Sequence, residues 1–245
     1  MDNFLTRLRA GSPQWGFIVS YPAPGIVERV GRDWDWVWID GQHGQLGYQD
    51  ILALVRVCDG LGRPPFVRVA SHEYAEIGRT MDMNVSGLIV PMVQNAAEAR
   101  RVIAAAKYPP LGDRSYGGRR VGDLRGRHYP QDVNADVIVL LQIETEEGLR
   151  NADEIAAIPG VDGLFYGPDD VLVRRGLPMD TPKTPETLGA DLRTVAEACR
   201  RQGKIAATLA FTPALIEFCV RSGYRLVAAG ADIAMLTGGS QQASA

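Results

Sequence analysis

The sequence predicts an α/β fold of the (β/α)8-barrel, or TIM-barrel, type, built as a single domain over residues 1–245. Three observations lead there. Short β-branched or aromatic apolar runs alternate with longer segments of helical period along nearly the whole chain. Eight such runs are distributed over a chain of 245 residues, close to the ~250 of a closed barrel. The turn after the first run, Ser20-Tyr21-Pro22-Ala23-Pro24, lacks the glycines that an open, doubly wound nucleotide-binding sheet places there.

The candidate strands are residues 15–20, 36–40, 65–69, 87–92, 137–144, 163–167, 205–209 and 226–229. Helical segments between them carry their own start and stop signals. Asn95 suits an N-cap for a helix running to Tyr108, with Glu98 placed to reach back to the cap. Thr184-Pro185 and Thr212-Pro213 each join a capping hydroxyl to a proline at the first helical position, where its missing N–H costs nothing. Gly203 and Gly223 stand where those two helices need a left-handed residue to stop. The longest gap, 109–136, holds five glycines (Gly112, Gly117, Gly118, Gly122, Gly126) and reads as a functional loop.

Composition narrows the function classes. A net charge of −3 gives no general attraction for nucleic acid or an anionic membrane. No run approaches the ~18 consecutive apolar residues of a membrane span, and the first eleven residues lack an apolar signal core. A cytoplasmic protein is expected. The three cysteines, Cys58, Cys199 and Cys219, lie in apolar helical patterns without CxxC spacing and read as buried structural thiols.

Barrel strands are buried on both faces and should be plainly apolar, so the polar exceptions carry information. Asp40 closes the second strand and is followed by Gly41-Gln42-His43. Arg68 lies in Phe66-Val67-Arg68-Val69. Gln142 and Glu144, two residues apart, face the same side of the fifth strand. Asp169 and Asp170 follow the sixth. All fall at C-terminal strand ends, where barrel enzymes place their chemistry. Singly, each has an ordinary explanation: a turn-forming aspartate, a snorkelling arginine, a simple ion pair, a capping histidine. Together they gather carboxylates, an arginine, an amide and a histidine on one rim, and unpaired charge is too costly to bury there for structure alone.

Such a set suits enolate formation beside a carbonyl. Carboxylates without a Cys or His cluster fit a hard cation, Mg2+ or Mn2+, that keeps open positions and acts as a Lewis acid on a 2-oxo acid. An arginine adds fixed positive charge where negative charge grows, and His43 held by Asp40 would serve as base. The lysine nearest a strand, Lys204, begins the seventh strand at the opposite rim, which disfavours a Schiff base.

In this order, WVWIDGQHG, FVRV, GLIVPMVQNAAEAR, the YPPLGDRS loop, VLLQIET, GVDGLFYGPDD and RLVAAGAD resemble the HpcH/HpaI aldolases, metal-dependent pyruvate aldolases, from about Trp15 to about Leu236. The resemblance implies Glu144 and Asp170 as metal ligands, with Mg2+ or Mn2+ first and Co2+ or Zn2+ as further candidates. It implies Arg68 as the pyruvate- and enolate-binding arginine, His43 with Asp40 as the acid–base dyad, and Gln142 as a pocket amide. The backbone N–H groups of Asp169 and Asp170 match those that hold the pyruvate carboxylate. The substrates implied are a 4-hydroxy-2-oxo acid, a 2-oxo acid and an aldehyde. The assembly implied is a homo-hexamer, a trimer of dimers that exchanges the last helix between subunits.

Three departures stand out: Gln42 replaces the usual acidic residue before the histidine, Asp82-Met83-Asn84 replaces D-x-G, and Arg114-Ser115-Tyr116-Gly117 replaces R-G-x-G. Arg114 and, by strand position, Phe17 and Thr208 to Ala210 are candidates for the acceptor side. Two rivals accompany the aldolase: an oxaloacetate-decarboxylating enzyme of the macrophomate synthase kind, which uses the same enolate, and a non-catalytic barrel that binds a 2-oxo acid.

Overall fold

The computed structural model describes residues 2–244. Eight parallel strands close on themselves in sequence order: β1 (Gln14–Val19), β2 (Trp36–Asp40), β3 (Pro65–Arg68), β4 (Gly87–Val90), β5 (Ile138–Ile143), β6 (Gly163–Tyr166), β7 (Ile205–Leu209) and β8 (Leu226–Ala231), with β8 pairing back to β1. The predicted barrel is therefore the observed one, with strand boundaries shifted by one or two residues.

Side chains alternate across the pleat, and this separates two apolar layers. Inward residues such as Ile18, Trp36, Trp38, Phe66, Leu140 and Phe165 fill the barrel. Outward ones such as Phe17, Val37, Ile39, Val67 and Leu141 meet the surrounding helices. The interior is rich in aromatic rings: Trp36 and Phe66 centroids lie 5.0 Å apart and Trp38 meets Phe165 edge-on at 4.9 Å. Glycines make the room, since a Cβ on Gly87 would overlap the Phe66 ring. The helix Asp2–Arg9 lies across the N-terminal end, where Phe4 packs edge-on against Phe66.

The caps formed as their residue types require. Asn95 accepts from the Glu98 N–H at 3.0 Å, and Thr184 and Thr212 accept from Thr187 and Leu215. Gly203 and Gly223 close their helices at φ 64° and 104°. The helix begun by Asn95 stops at Ala106 rather than at Tyr108. Its continuation is fixed instead by Lys107, fully buried, whose ammonium donates to the Asn134 and Val137 carbonyls and to Asp162. All three cysteines are free and buried, and burial pushes each thiol up to about 12.

The expectation of a loop over 109–136 is corrected. This stretch contains a helix (Arg119–Arg125), a 3-10 turn (Tyr129–Gln131) and a short helix (Val133–Asp136). Its glycines punctuate rather than loosen it: Gly118 and Gly126, at φ 77° and 80°, bracket the first helix. Tyr129 ties the stretch down by bonding the Tyr108 hydroxyl and the Gly117 carbonyl. Among the described residues no helix is long and apolar enough to cross a membrane. The final helix, Asp232–Ala243, contacts β1 and β8, while Ile233, Met235 and Leu236 are each about half exposed.

Candidate active site

At the C-terminal mouth of the barrel a cavity of about 280 Å3 is lined by Trp38, Asp40, His43, Arg68, Gln142, Glu144 and the Gly167-Pro168-Asp169-Asp170 turn. Wider hollows of 550 and 660 Å3 lie elsewhere. The first is at the opposite rim, where Lys204 and Arg225 bond backbone carbonyls and so are already occupied. Convergent charge, not volume, distinguishes the smaller cavity.

Register explains the convergence. Asp40 and Arg68 end adjacent strands as direct partners and form a two-pronged pair, with Arg68 Nε donating to Oδ1 at 2.8 Å and Nη2 to Oδ2 at 2.7 Å. Asp40 Oδ1 also accepts the backbone N–H groups of Gln42 and His43 at 3.2 and 3.3 Å. Burial by itself would raise the Asp40 carboxyl, but the arginine and these N–H groups outweigh it and hold the group below its ordinary value. The Arg68 guanidinium also lies over the Trp38 ring, 4.9 Å from its centroid.

Glu144 follows β5 and is nearly inaccessible, at 2% exposure. Its Oε1 accepts the Met92 N–H at 2.7 Å and its Oε2 the Gln142 amide at 2.5 Å. Burial, with the negative charge of Asp170 beside it, pushes this carboxyl up to about 7 despite Arg68 and those two donors. Met92 reaches Glu144 from a backbone at φ 58°, a conformation uncommon for a side chain of its kind. Asp169 and Asp170 open the helix Pro168–Arg174, where backbone N–H groups are not yet used by the helix. Asp169 pairs with Lys183 at 2.5 Å. A Cβ on Gly167 would lie 2.7 Å from Gln142 Nε2 and 2.8 Å from Glu144 Oε2, so a side chain there would push these two groups aside.

Seven predicted residues thus come together: Asp40, His43, Arg68, Gln142, Glu144, Asp169 and Asp170. The expected contact between the Asp40 carboxylate and the His43 ring is corrected. Asp40 spends its oxygens on Arg68 and on backbone, and the His43 imidazole makes no hydrogen bond among the described residues. Two acceptor-side candidates are corrected as well. Phe17 is fully buried and stacks on Trp34, because the pleat turns it outward and sends Ile18 inward. Arg114, also buried, pairs with Asp82 at 2.7 Å and lies over the Tyr108 ring. Of Thr208 to Ala210, only Leu209 reaches the cavity. The lining residues missed include Ile18, Ser20, Trp38, Phe211, Ala231 and Ile233; Trp38 was within reach, standing two residues before Asp40 on the same strand face.

A closed eight-stranded barrel with a carboxylate-and-arginine site at its C-terminal mouth is the class of enzyme this architecture defines. Residues 20–237 match the HpcH/HpaI aldolase/citrate lyase family, and the chain belongs to it. It is 34% identical to a 4-hydroxy-2-oxovalerate aldolase from Novosphingobium aromaticivorans over 240 residues, covering 95% of this chain and 89% of that one. It is 33% identical to a 2-dehydro-3,6-dideoxy-6-sulfogluconate aldolase from Pseudomonas putida, covering 93% and 89%. The crystal structure of an HpcH/HpaI aldolase from Desulfitobacterium hafniense superposes with a TM-score of 0.88 at 26% identity, covering 98% of this chain and 94% of that one. The chain is an aldolase, a carbon–carbon lyase.

Proposed function

We propose that this aldolase cleaves a 4-hydroxy-2-oxo acid, reversibly and with a divalent cation, to pyruvate or a close 2-oxo acid and an aldehyde. One observation carries this: Glu144 and Asp170 share a small cavity with the Asp40–Arg68 pair, and their mutual repulsion and burial drive Glu144 toward neutrality.

The donor set fits a hard cation. Both carboxylates offer oxygen, and a positive charge between them would relieve the repulsion that raises Glu144. Among the described residues no three His, Cys, Asp or Glu side chains are close enough together to hold one metal ion, so a cation held by Glu144 and Asp170 leaves positions for ligand oxygens. When bound, Mg2+ or Mn2+ supplies Lewis acidity to the carboxylate and keto oxygens of a 2-oxo acid.

The chain's own groups divide the remaining work. The N–H groups of Asp169 and Asp170 receive the substrate carboxylate at the helix start. Arg68, held rigid by Asp40, places its charge beside the C2 oxygen, where negative charge develops. His43 takes the proton of the 4-hydroxyl as the C3–C4 bond breaks. The electron pair of that bond passes to C3, C4 becomes the aldehyde carbonyl, and protonation of C3 yields the 2-oxo acid. In the aldol direction His43 removes the C3 proton instead.

The test is pyruvate release from a 4-hydroxy-2-oxo acid before and after exhaustive chelation. Release should cease and return with Mg2+ or Mn2+; activity retained without any metal would end the proposal. The exposed apolar residues of the last helix support a homo-oligomer as the working form.

A further inference from the structure

We infer that Arg175 and Asp191 are positioning residues: from outside the cavity they set the spacing between Glu144 and Asp170. The inference rests on the reading, proposed above, of those two carboxylates as the cation's ligands.

Both carboxylates stand past the end of the sheet. The Gly167 N–H donates to the Ile143 carbonyl at 3.0 Å, and among the described residues no backbone hydrogen bond joins the two segments beyond it. Glu144 leads into the short helix Glu146–Arg150, and Asp170 lies in the helix Pro168–Arg174. Ligands carried on separate short segments keep one spacing only if those segments are tied together.

Arg175 ties them. It closes the helix that bears Asp170, with its backbone N–H on the Val171 carbonyl. Its Nε donates to Glu146 Oε1 at 2.6 Å, two residues after Glu144. Its other nitrogens grip Asp191, Nη1 on Oδ2 at 2.7 Å and Nη2 on Oδ1 at 3.0 Å. Asp191 belongs to the 18-residue helix Pro185–Gln202. The Tyr166 hydroxyl, at the end of β6, donates to Asp191 Oδ2 at 2.9 Å. Burial and the Asp191 charge push that phenol up, so it stays a donor. One guanidinium thus joins the segment after Glu144, the helix of Asp170 and a long helix behind both.

An exposed ion pair contributes little, and the same long helix carries one of that kind, Arg201 with Asp153, both about half exposed. The Arg175 arrangement differs. The Asp191 side chain is only 11% exposed, and two parallel bonds to one guanidinium fix direction as well as distance.

The experiment is calorimetric titration of Mn2+ into the full chain, with the EPR spectrum of the bound ion as a second readout. Arg175→Ala should weaken Mn2+ binding about tenfold and broaden that spectrum, because the ligands no longer keep one spacing. The sign is diagnostic. Removing a positive charge would, on charge alone, tighten cation binding. A brace that served stability alone would lower the melting temperature and leave affinity unchanged. Arg175→Lys keeps the charge, but a single nitrogen cannot span both carboxylates, so it too should bind Mn2+ more weakly than wild type. Arg201→Ala, the control, should bind as wild type does. Unchanged or tighter Mn2+ binding in Arg175→Ala overturns the inference; if that variant does not fold, Arg175→Lys decides on the same criterion. A wild-type protein that binds no Mn2+, or one whose binding survives Glu144→Ala intact, overturns the ligand assignment and the inference with it. Binding that depends on Glu144 but not on Arg175 overturns the inference alone.

Discussion

Asp40 and Arg68 hold each other at 2.7 and 2.8 Å across adjacent strand ends, each about nine-tenths buried. Removing one partner from such a pair strands the other charge, at a cost of about 3–5 kcal/mol. Asp40→Asn should therefore lower stability by that order in urea unfolding and depress turnover more than cation binding. The pH dependence has a definite sign. A carboxyl held below its unfolded value stabilises the fold above that value, and the benefit is lost as pH falls through the folded one. The gap in stability between wild type and Asp40→Asn should stay level from pH 8 to 5 and narrow below about pH 4.

Glu144 behaves oppositely. Its carboxyl is raised from 4.5 to about 7, so its protonated form favours the fold and that benefit is lost as pH rises through about 7. Without metal, Glu144→Gln should be more stable than wild type at pH 8, by something on the order of 3 kcal/mol, with the difference shrinking toward pH 4. Mg2+ or Mn2+ should reverse the order, because a ligand that binds only the folded state raises its stability. Melting curves of both proteins with and without cation, at pH 6 and pH 8, give the comparison; the cation's effect on wild type should be larger at pH 8.

Gly167 touches both Gln142 and Glu144 through the space its missing side chain leaves. Gly167→Ala should displace the Glu144 carboxylate, weaken Mn2+ binding at least tenfold and cost about 1–3 kcal/mol from overpacking. Calorimetric titration of Mn2+ into the variant reads the first effect and denaturation the second.

The last helix presents Ile233, Met235 and Leu236 half exposed. A paired substitution, Met235→Glu with Leu236→Glu, should break an assembly built through this face. Light scattering after size exclusion should show a hexamer for wild type and smaller species for the variant.

The barrel was legible because its two signals are local: strand runs of β-branched and aromatic residues, and caps such as Asn95, Thr184 and Thr212. The site was legible where polarity interrupts those runs, as at Arg68 and Glu144. It was less legible where direction matters. Phe17 and Ile18 differ by one residue and face opposite sides of the sheet, and two neighbouring apolar residues give no sign of which one looks inward. Arg114 and Asp40 show another limit. An arginine or aspartate declares a charge but not its partner, and their partners, Asp82 and Arg68, lie 32 and 28 residues away. Trp38 carries no charge to mark it, and it packs among apolar rings while also lining the cavity.

The central claim, that these residues make and hold an enolate, is tested most directly by deuterium exchange at the pyruvate methyl group in D2O, followed by NMR. Exchange should require Mg2+ or Mn2+ and should fall at least a hundredfold in His43→Ala, the range expected for loss of a general base. No exchange with any divalent cation, or exchange undiminished in His43→Ala, would contradict the account.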